Sequence, residues 1–355
     1  MSWIAISDGR RAIRAPRHAE FGATELLPVG SLVVEFTFAP VAGKRQPIIA
    51  MDRHQGWDRK FRLSIDAEGN VQMRHQQGNV ITGAQLSGFK ADPEDVVRVT
   101  LAWHAPERLG FMVIENVKTG SFIQSVVDAP HPWPLDDVDA LIGFNPDVQL
   151  DPSITLLAVS DRIESVGLNG GISAGTRIET IDGPKPVEQL VPGDLVQTMG
   201  HGFQPLRFVV IREVPAFGAS APIRLRAPFF GLHRDLMVSP DYRLLISGAD
   251  AEYLFGTDSV LVEARYLATM AAHARVSKAA TVTYVHLILD AHVCLSMHGA
   301  WGETLYLGDL AEQPGRHAIS PLASVRRTHL PVHTFIDSPE LRSYEAMVLV
   351  SALCA

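Results

Sequence analysis

Gly171-Ile172-Ser173-Ala174-Gly175-Thr176-Arg177-Ile178-Glu179-Thr180, followed by Ile181-Asp182-Gly183-Pro184-Lys185-Pro186-Val187-Glu188-Gln189-Leu190-Val191-Pro192-Gly193-Asp194-Leu195-Val196, decides the fold of the second half of this chain. Thr176 to Thr180 reads as a short strand. Ile181-Asp182-Gly183-Pro184 is a turn, since Asp and Gly tolerate the required dihedrals and Pro presets one of them. Val187 and Leu190, three apart, anchor one helical turn. Gly193-Asp194 then turns the chain into a strand over Leu195 to Thr198.

The same texture extends outward. Ser31 to Phe38 alternates, with Leu32, Val34, Phe36 and Phe38 on one face and Glu35 and Thr37 on the other. Phe61 to Ile65 and Val71 to Arg74 flank the turn Asp66-Ala67-Glu68-Gly69-Asn70, a hairpin signal. Val97, Val99, Leu101 and Trp103 form another apolar face, and Phe111 to Glu115 and Ile154 to Val159 add strands. Short alternating strands with polar turns predict antiparallel sheets that each bury one face. The fold class expected is all-β. Two exceptions are a helical stripe over Ser259 to Ala272 and Leu341 to Leu349, which fits either strand or helix.

The chain has 355 residues, 46% hydrophobic and 20% charged, a globular composition sufficient for about two domains. With 31 Lys plus Arg against 39 Asp plus Glu, the net charge is −8. An acidic chain lacks the field that phosphate backbones need, so nucleic acid is not an expected partner. No apolar run approaches the ~18 residues of a membrane span, and the N-terminal apolar run is too short for a secretory leader. A cytoplasmic location, or export without a cleaved signal, is expected. Two cysteines, Cys294 and Cys354, make neither a disulfide framework nor a zinc site. Neither a phosphate-binding glycine loop nor a G-x-S-x-G elbow occurs, so no cofactor and no metal are expected.

The stretch opening at Gly171 resembles the first block of a Hint domain, the module shared by hedgehog proteins and inteins. Gly183 to Val196 is similar to that family's G-x-x-P-V-E-x-L-x-x-G-D-x-V segment. Further blocks follow in order: Gly202 to Arg207, Val238 to Leu245, Leu254 to Leu267, Thr283 to Leu287 with Asp290-Ala291-His292, and Leu341 to Ala346. The blocks look most like the bacterial, alphaproteobacterial subfamily. The resemblance implies autoprocessing, the chemistry of protein splicing. A Cys or Ser at the first position attacks the preceding carbonyl, and a Thr-x-x-His element polarises the scissile amide.

This sequence departs from that pattern twice. Gly171 stands at the nucleophile position and has no side chain. Ser239-Pro240-Asp241-Tyr242 stands at the Thr-x-x-His element, so Tyr242 replaces the imidazole while Ser239 keeps a hydroxyl. The resemblance with these losses implies a degenerate site. Candidate substitutes are Ser173 as a shifted nucleophile, Asn169-Gly170 as a cyclising pair, and Asp290 with His292 as a carboxylate–imidazole pair. Cys294 beside His292 is a further candidate, although a buried small residue is its more ordinary role. His286 is expected as a core histidine, and His298 lacks neighbouring carboxylates.

The first half resembles a laminin-G-like or concanavalin-like jelly roll, on the strand, hairpin and strand-pair residues above and on Ile142-Gly143-Phe144 as a late strand. Such domains bind glycans or calcium. Trp57, Asp58 and Asp52 are the exposed candidates, and no D-x-D-x-D-G calcium loop is present. The expected organisation is a sandwich over 1–165, a flexible junction over 166–172 and a Hint domain over 173–355. The expected role is a non-catalytic binding or structural protein whose sandwich takes a protein or glycan. The rival is a self-cleaving Hint protein with a substitute nucleophile. A third reading is a structural component of a larger surface or secreted assembly.

Overall fold

The computed structural model describes residues 2–14, 25–143, 145–168, 170–268, 279–310, 312–336 and 338–353. Strands dominate, and the fold is all-β. Two compact units form: Met1–Glu164 with Phe217–Ala219, and Ser165–Ala216 with Ser220–Ala355.

The first unit is a sandwich of two antiparallel sheets. One orders Phe122–Val126, Leu109–Asn116, Val96–His104, Val29–Thr37, Leu156–Ser160, Trp3–Ser7 and Ala12–Arg14. The other orders Val148–Leu150, Arg45–Arg53, Arg59–Asp66, Val71–Gln77 and Val80–Leu86. Phe36, Val99 and Met112 of the first sheet share a core with Met51, Phe61, Leu63 and Met73 of the second. The expected hairpin forms with Ile65 across from Val71. Glu35, expected on the solvent face, is fully buried. Arg98 compensates its charge at 2.6 Å.

A helix, Leu135–Ile142, replaces the strand expected at Ile142-Gly143, and Phe144 lies outside the described residues. Leu135, Val138, Leu141 and Ile142 are buried on one helical face. Asp136 and Asp137 occupy the first turn, where the helix dipole favours negative charge.

His75 is buried among Phe61, His131 and Trp133. Burial, then the neighbouring His131, lower its pKa to about 3. An unfolded histidine titrates near ~6.5. Between those values the unfolded chain takes up a proton that the folded unit refuses. His75 therefore makes stability fall as pH drops from ~6.5 toward ~3, by up to about 1.4 kcal/mol per pH unit. Urea unfolding followed by tryptophan fluorescence is weighted toward this unit, which holds Trp3, Trp57, Trp103 and Trp133, against Trp301 in the second. Its midpoint should fall between pH 7 and pH 5, and His75→Phe should flatten that slope. An unchanged slope in the variant would place the acid sensitivity elsewhere.

The second unit also has two sheets. Phe208–Pro215, Thr281–Ile288, Ile172–Ser173, Leu236–Val238 and Ile223–Leu225 make one. Gly183–Pro186, Arg177–Thr180, Leu195–Thr198, Cys294–Met297, Ala300–Glu303, Arg243–Ser247 and Ser259–Glu263 make the other, with Gly202–Pro205 paired to Leu195–Thr198. The expected turn at Val187 is a 3-10 helix, Val187–Gln189, and Val187 is fully buried. The helix expected over Ser259 to Ala272 is instead the strand Ser259–Glu263 and the short helix Ala264–Leu267; 269–272 lie outside the described residues. Val260, Leu261 and Val262 are all buried, which a strand covered on both sides allows. The ambiguous C-terminal stretch is the helix Ser343–Leu353.

In the junction expected at 166–172, the described residues make contacts. Val166 donates to the Ile319 carbonyl at 2.8 Å. Leu168 joins an apolar cluster with Ile288, Leu307, Leu310, Leu322 and Leu330. Arg212 donates to the Ser165 carbonyl at 2.6 Å.

Candidate functional site

The Gly170–Gly171 peptide enters the second unit between two strands. Ile172 pairs with Val238 on one side and with Val285 on the other. Ser173 pairs with Tyr284, so the register carries Gly171 across from His286. Tyr284 and His286, two apart on one strand, share the face that meets this peptide.

Every polar group of the peptide is engaged. The Gly171 N–H donates to Ser239 Oγ at 2.8 Å, and the Ser239 N–H donates back to the Gly171 carbonyl at 2.9 Å. The Gly170 N–H donates to the Asp241 carboxylate at 2.9 Å. The Gly170 carbonyl accepts from the His286 ring, the bond that favours its protonated form. Burial and then the Arg212 charge outweigh that bond and hold the His286 pKa down at about 4. His286 Nδ1 has no partner. Near Asp241, burial pushes Glu263 up to about 7 against the pull of Arg265.

Gly171 has no room for a side chain. A Cβ there would lie 2.7 Å from Tyr284 Cβ and 2.9 Å from Tyr284 Cγ. Tyr284 is buried, and its hydroxyl donates to the Ser220 carbonyl at 2.9 Å. Tyr242 points elsewhere. Its hydroxyl donates to the Glu303 carbonyl at 2.8 Å, and burial raises its pKa well above the usual phenol value. A Cβ on Gly302 would sit 2.5 Å from that hydroxyl, so glycine is required there. Ser173 is buried on the strand Ile172–Ser173, two residues beyond Gly171. Asn169 lies outside the described residues.

Asp290 and His292 do not pair. They lie in the bend between Thr281–Ile288 and Cys294–Met297, where strand alternation does not operate. Asp290 is exposed and meets Arg207 at 2.9 Å. His292 is buried, and its Nε2 lies 3.2 Å from Glu303 Oε2. Arg243 holds the other Glu303 oxygen at 2.6 Å and also pairs with Glu340. Tyr306, His333 and Phe335 pack around the His292 ring. Cys294 is buried, and burial followed by the Glu303 charge pushes its thiol up to about 12, which leaves no thiolate at neutral pH. His298 Nδ1 meets the Asp235 carbonyl at 3.1 Å, and its Nε2 accepts from the Arg177 N–H at 3.0 Å.

The sequence reading missed Asp241 and Tyr284 as site residues and gave His286 only a core role. Asp241 was visible inside the Ser239–Tyr242 element. The two-residue spacing of Tyr284 and His286 was the available signal for a shared face. Glu303 and Arg243 had none: Glu303 reaches His292 from eleven residues on, and pairing of their strands brings Arg243 to Glu303.

In the first unit, the exposed candidates sit at the hairpin between Arg45–Arg53 and Arg59–Asp66. Trp57 is 41% exposed, with the Arg59 guanidinium 4.6 Å from its ring centre. Asp58 accepts from His54 at 2.8 Å, and Asp52 pairs with Arg62 and Lys60. Among the described residues no group of three or more His, Cys, Asp or Glu forms a metal cage, and no helix is long and apolar enough to cross a membrane.

Comparison with known proteins places this geometry. No curated protein matches the chain in sequence. Among solved structures, it is similar to the IT-sialidase CBM40 of Ruminococcus gnavus bound to alpha2,3 sialyllactose. The identity is 15%, covering 45% of this chain and 87% of that one, with a TM-score of 0.30. A leech intramolecular trans-sialidase is similar at 10% identity, covering 43% of this chain and 27% of that one, TM-score 0.27. A splice-inactive variant of the AceL NrdHF class 3 split intein is similar at 14% identity, covering 38% of this chain and 97% of that one, TM-score 0.23. Residues 171–309, which begin at the cradled glycine, match the family described as the Hint domain.

Proposed function

We propose that this is a Hint domain protein whose autoprocessing site is degenerate, and that it works as a non-catalytic binding or structural protein through its N-terminal sandwich. The observation that carries the reading is the crowding at Gly171. A nucleophile needs at least a Cβ at that position, and the anchored Tyr284 side chain occupies its place. The Tyr242 hydroxyl is committed to the Glu303 carbonyl and turned away from proton transfer. Ser239, Asp241 and His286 then serve to grip the chain here: they satisfy the half-buried polar groups of Gly170 and the buried Gly171 N–H, which unpaired would cost about 1–3 kcal/mol.

The rival is a self-cleaving protein that uses Ser173 or another substitute. Intact mass separates the two. The full chain, fresh and after days at neutral pH with a strong thiol or hydroxylamine, is expected to give one unchanged mass. Two fragments broken between Val166 and Ser173 would overturn the degenerate reading. Gly171→Cys is expected to restore no cleavage and to cost about 1–3 kcal/mol through overpacking. That cost should shrink in a Tyr284→Ala background, because the two side chains compete for one space. An equal cost in both backgrounds would remove Tyr284 as the obstacle.

A further inference from the structure

The outward face of the five-stranded sheet carries a charge opposite to that of the chain. Along Arg59–Asp66 and Val71–Gln77 the side chains alternate. Phe61, Leu63, Met73 and His75 enter the core, which sends Lys60, Arg62, Gln72, Arg74 and Gln76 outward. The register sets Ala50, Arg62, Arg74 and Gly83 in one row across four strands. Strands lie ~4.8 Å apart, so Arg62 and Arg74 are neighbours across the sheet; the Arg62 guanidinium donates to the Met51 and Phe61 carbonyls and pairs with Asp52. The next row sets Asp52, Lys60 and Gln76 beside it. Lys60 and Arg62 are 40% and 43% exposed, and Arg74 is exposed. Two carboxylates, Asp52 and Asp66, face the four cations Arg45, Lys60, Arg62 and Arg74, in a chain of net charge −8.

We propose that this face binds an acidic polysaccharide that carries about one carboxylate per sugar. The proposal rests on reading the sandwich as the binding half of the protein. The exposed Arg74 guanidinium fork matches a carboxylate in shape and charge, with the Lys60 and Arg62 charges beside it. Gln72 and Gln76 both donate and accept, as sugar hydroxyls require. The modest cationic excess suits a singly charged repeat better than a heavily sulfated one. The two rows have no aromatic side chain on which unpaired bases would stack, which disfavours a nucleic acid.

The test is calorimetric titration of the full chain with polygalacturonate, with dextran, heparin and a single-stranded oligonucleotide in parallel. Polygalacturonate is expected to bind, and to bind more weakly as salt rises. Arg74→Glu is expected to weaken it at least about tenfold, the effect of one lost charge-assisted contact. Its thermal unfolding should stay unchanged, because Arg74 lies outside the core. Absence of polygalacturonate binding, binding indifferent to Arg74→Glu, or tighter binding of heparin or the oligonucleotide would each overturn the proposal. Dextran binding that ignores Arg74→Glu would overturn it too, while keeping the wider reading of the sandwich as a glycan-binding unit.

Discussion

Glu303→Ala is expected to destabilise the second unit by about 3–5 kcal/mol, the usual cost of removing one partner of a buried ion pair. Glu303 is 7% exposed and lies on Ala300–Glu303, beside Cys294 in the register. One oxygen takes Arg243 at 2.6 Å and the other meets His292 at 3.2 Å. Burial works against the Arg243 charge, and Glu303 and Glu340 together more than reverse it, so its pKa stands above the ordinary guanidinium value. Without Glu303, Arg243 keeps only Glu340, whose side chain is 43% exposed and offers a weaker, screened attraction. His292 loses its partner as well, and its Nδ1 is already without one. Thermal unfolding should show a drop of about 6–20 °C, at ~2–4 °C per kcal/mol for a domain of this size. Glu303→Gln should cost less, because it keeps an acceptor for Arg243. If both variants unfold with the wild type, the cluster contributes nothing net.

Asp137→Ala is expected to cost the first unit a comparable amount, about 3–5 kcal/mol. Asp137 is completely buried in the first turn of Leu135–Ile142. Arg53 approaches it at 2.7 Å and Arg59 at 3.2 Å, and both arginines are at most 5% exposed. Removal leaves two guanidinium groups in the interior with Asp136, at 3.2 and 3.0 Å, as their shared carboxylate. Burial raises the Asp137 pKa despite these neighbours. Asp137→Asn therefore isolates the charge: it keeps the shape and one acceptor and loses the attraction. A small loss in Asn with a large loss in Ala would assign the effect to packing and hydrogen bonding. Equal, near-zero losses would show that Asp136, with Asp147 and Gln55 at Arg53, suffices to hold the two arginines.

How far the sequence could be read depended on whether the signal was local. The hairpin at Phe61 to Val71 and the turn at Val187 were legible, because turn chemistry and alternation lie within a few residues. The helix Leu135–Ile142 was missed although its apolar spacing is helical, because neighbouring strand patterns set the expectation. The strand Ser259–Glu263 was read as helix because a fully buried strand shows no alternation.

The sequence by itself determined that this is an all-β chain and that the blocks opening at Gly171 are those of the Hint domain, whose family matches residues 171–309. Those facts reside in residue identity, order and short-range spacing. Only the tertiary structure decided what surrounds Gly171, Tyr242 and His292 in space. Tyr284, 113 positions from Gly171, fills the volume that a side chain at Gly171 would take. His292 turns from Asp290, two residues away, to Glu303, eleven away. Strand pairing brings side chains together across sequence distances that no local pattern encodes, and packing allows one occupant per volume.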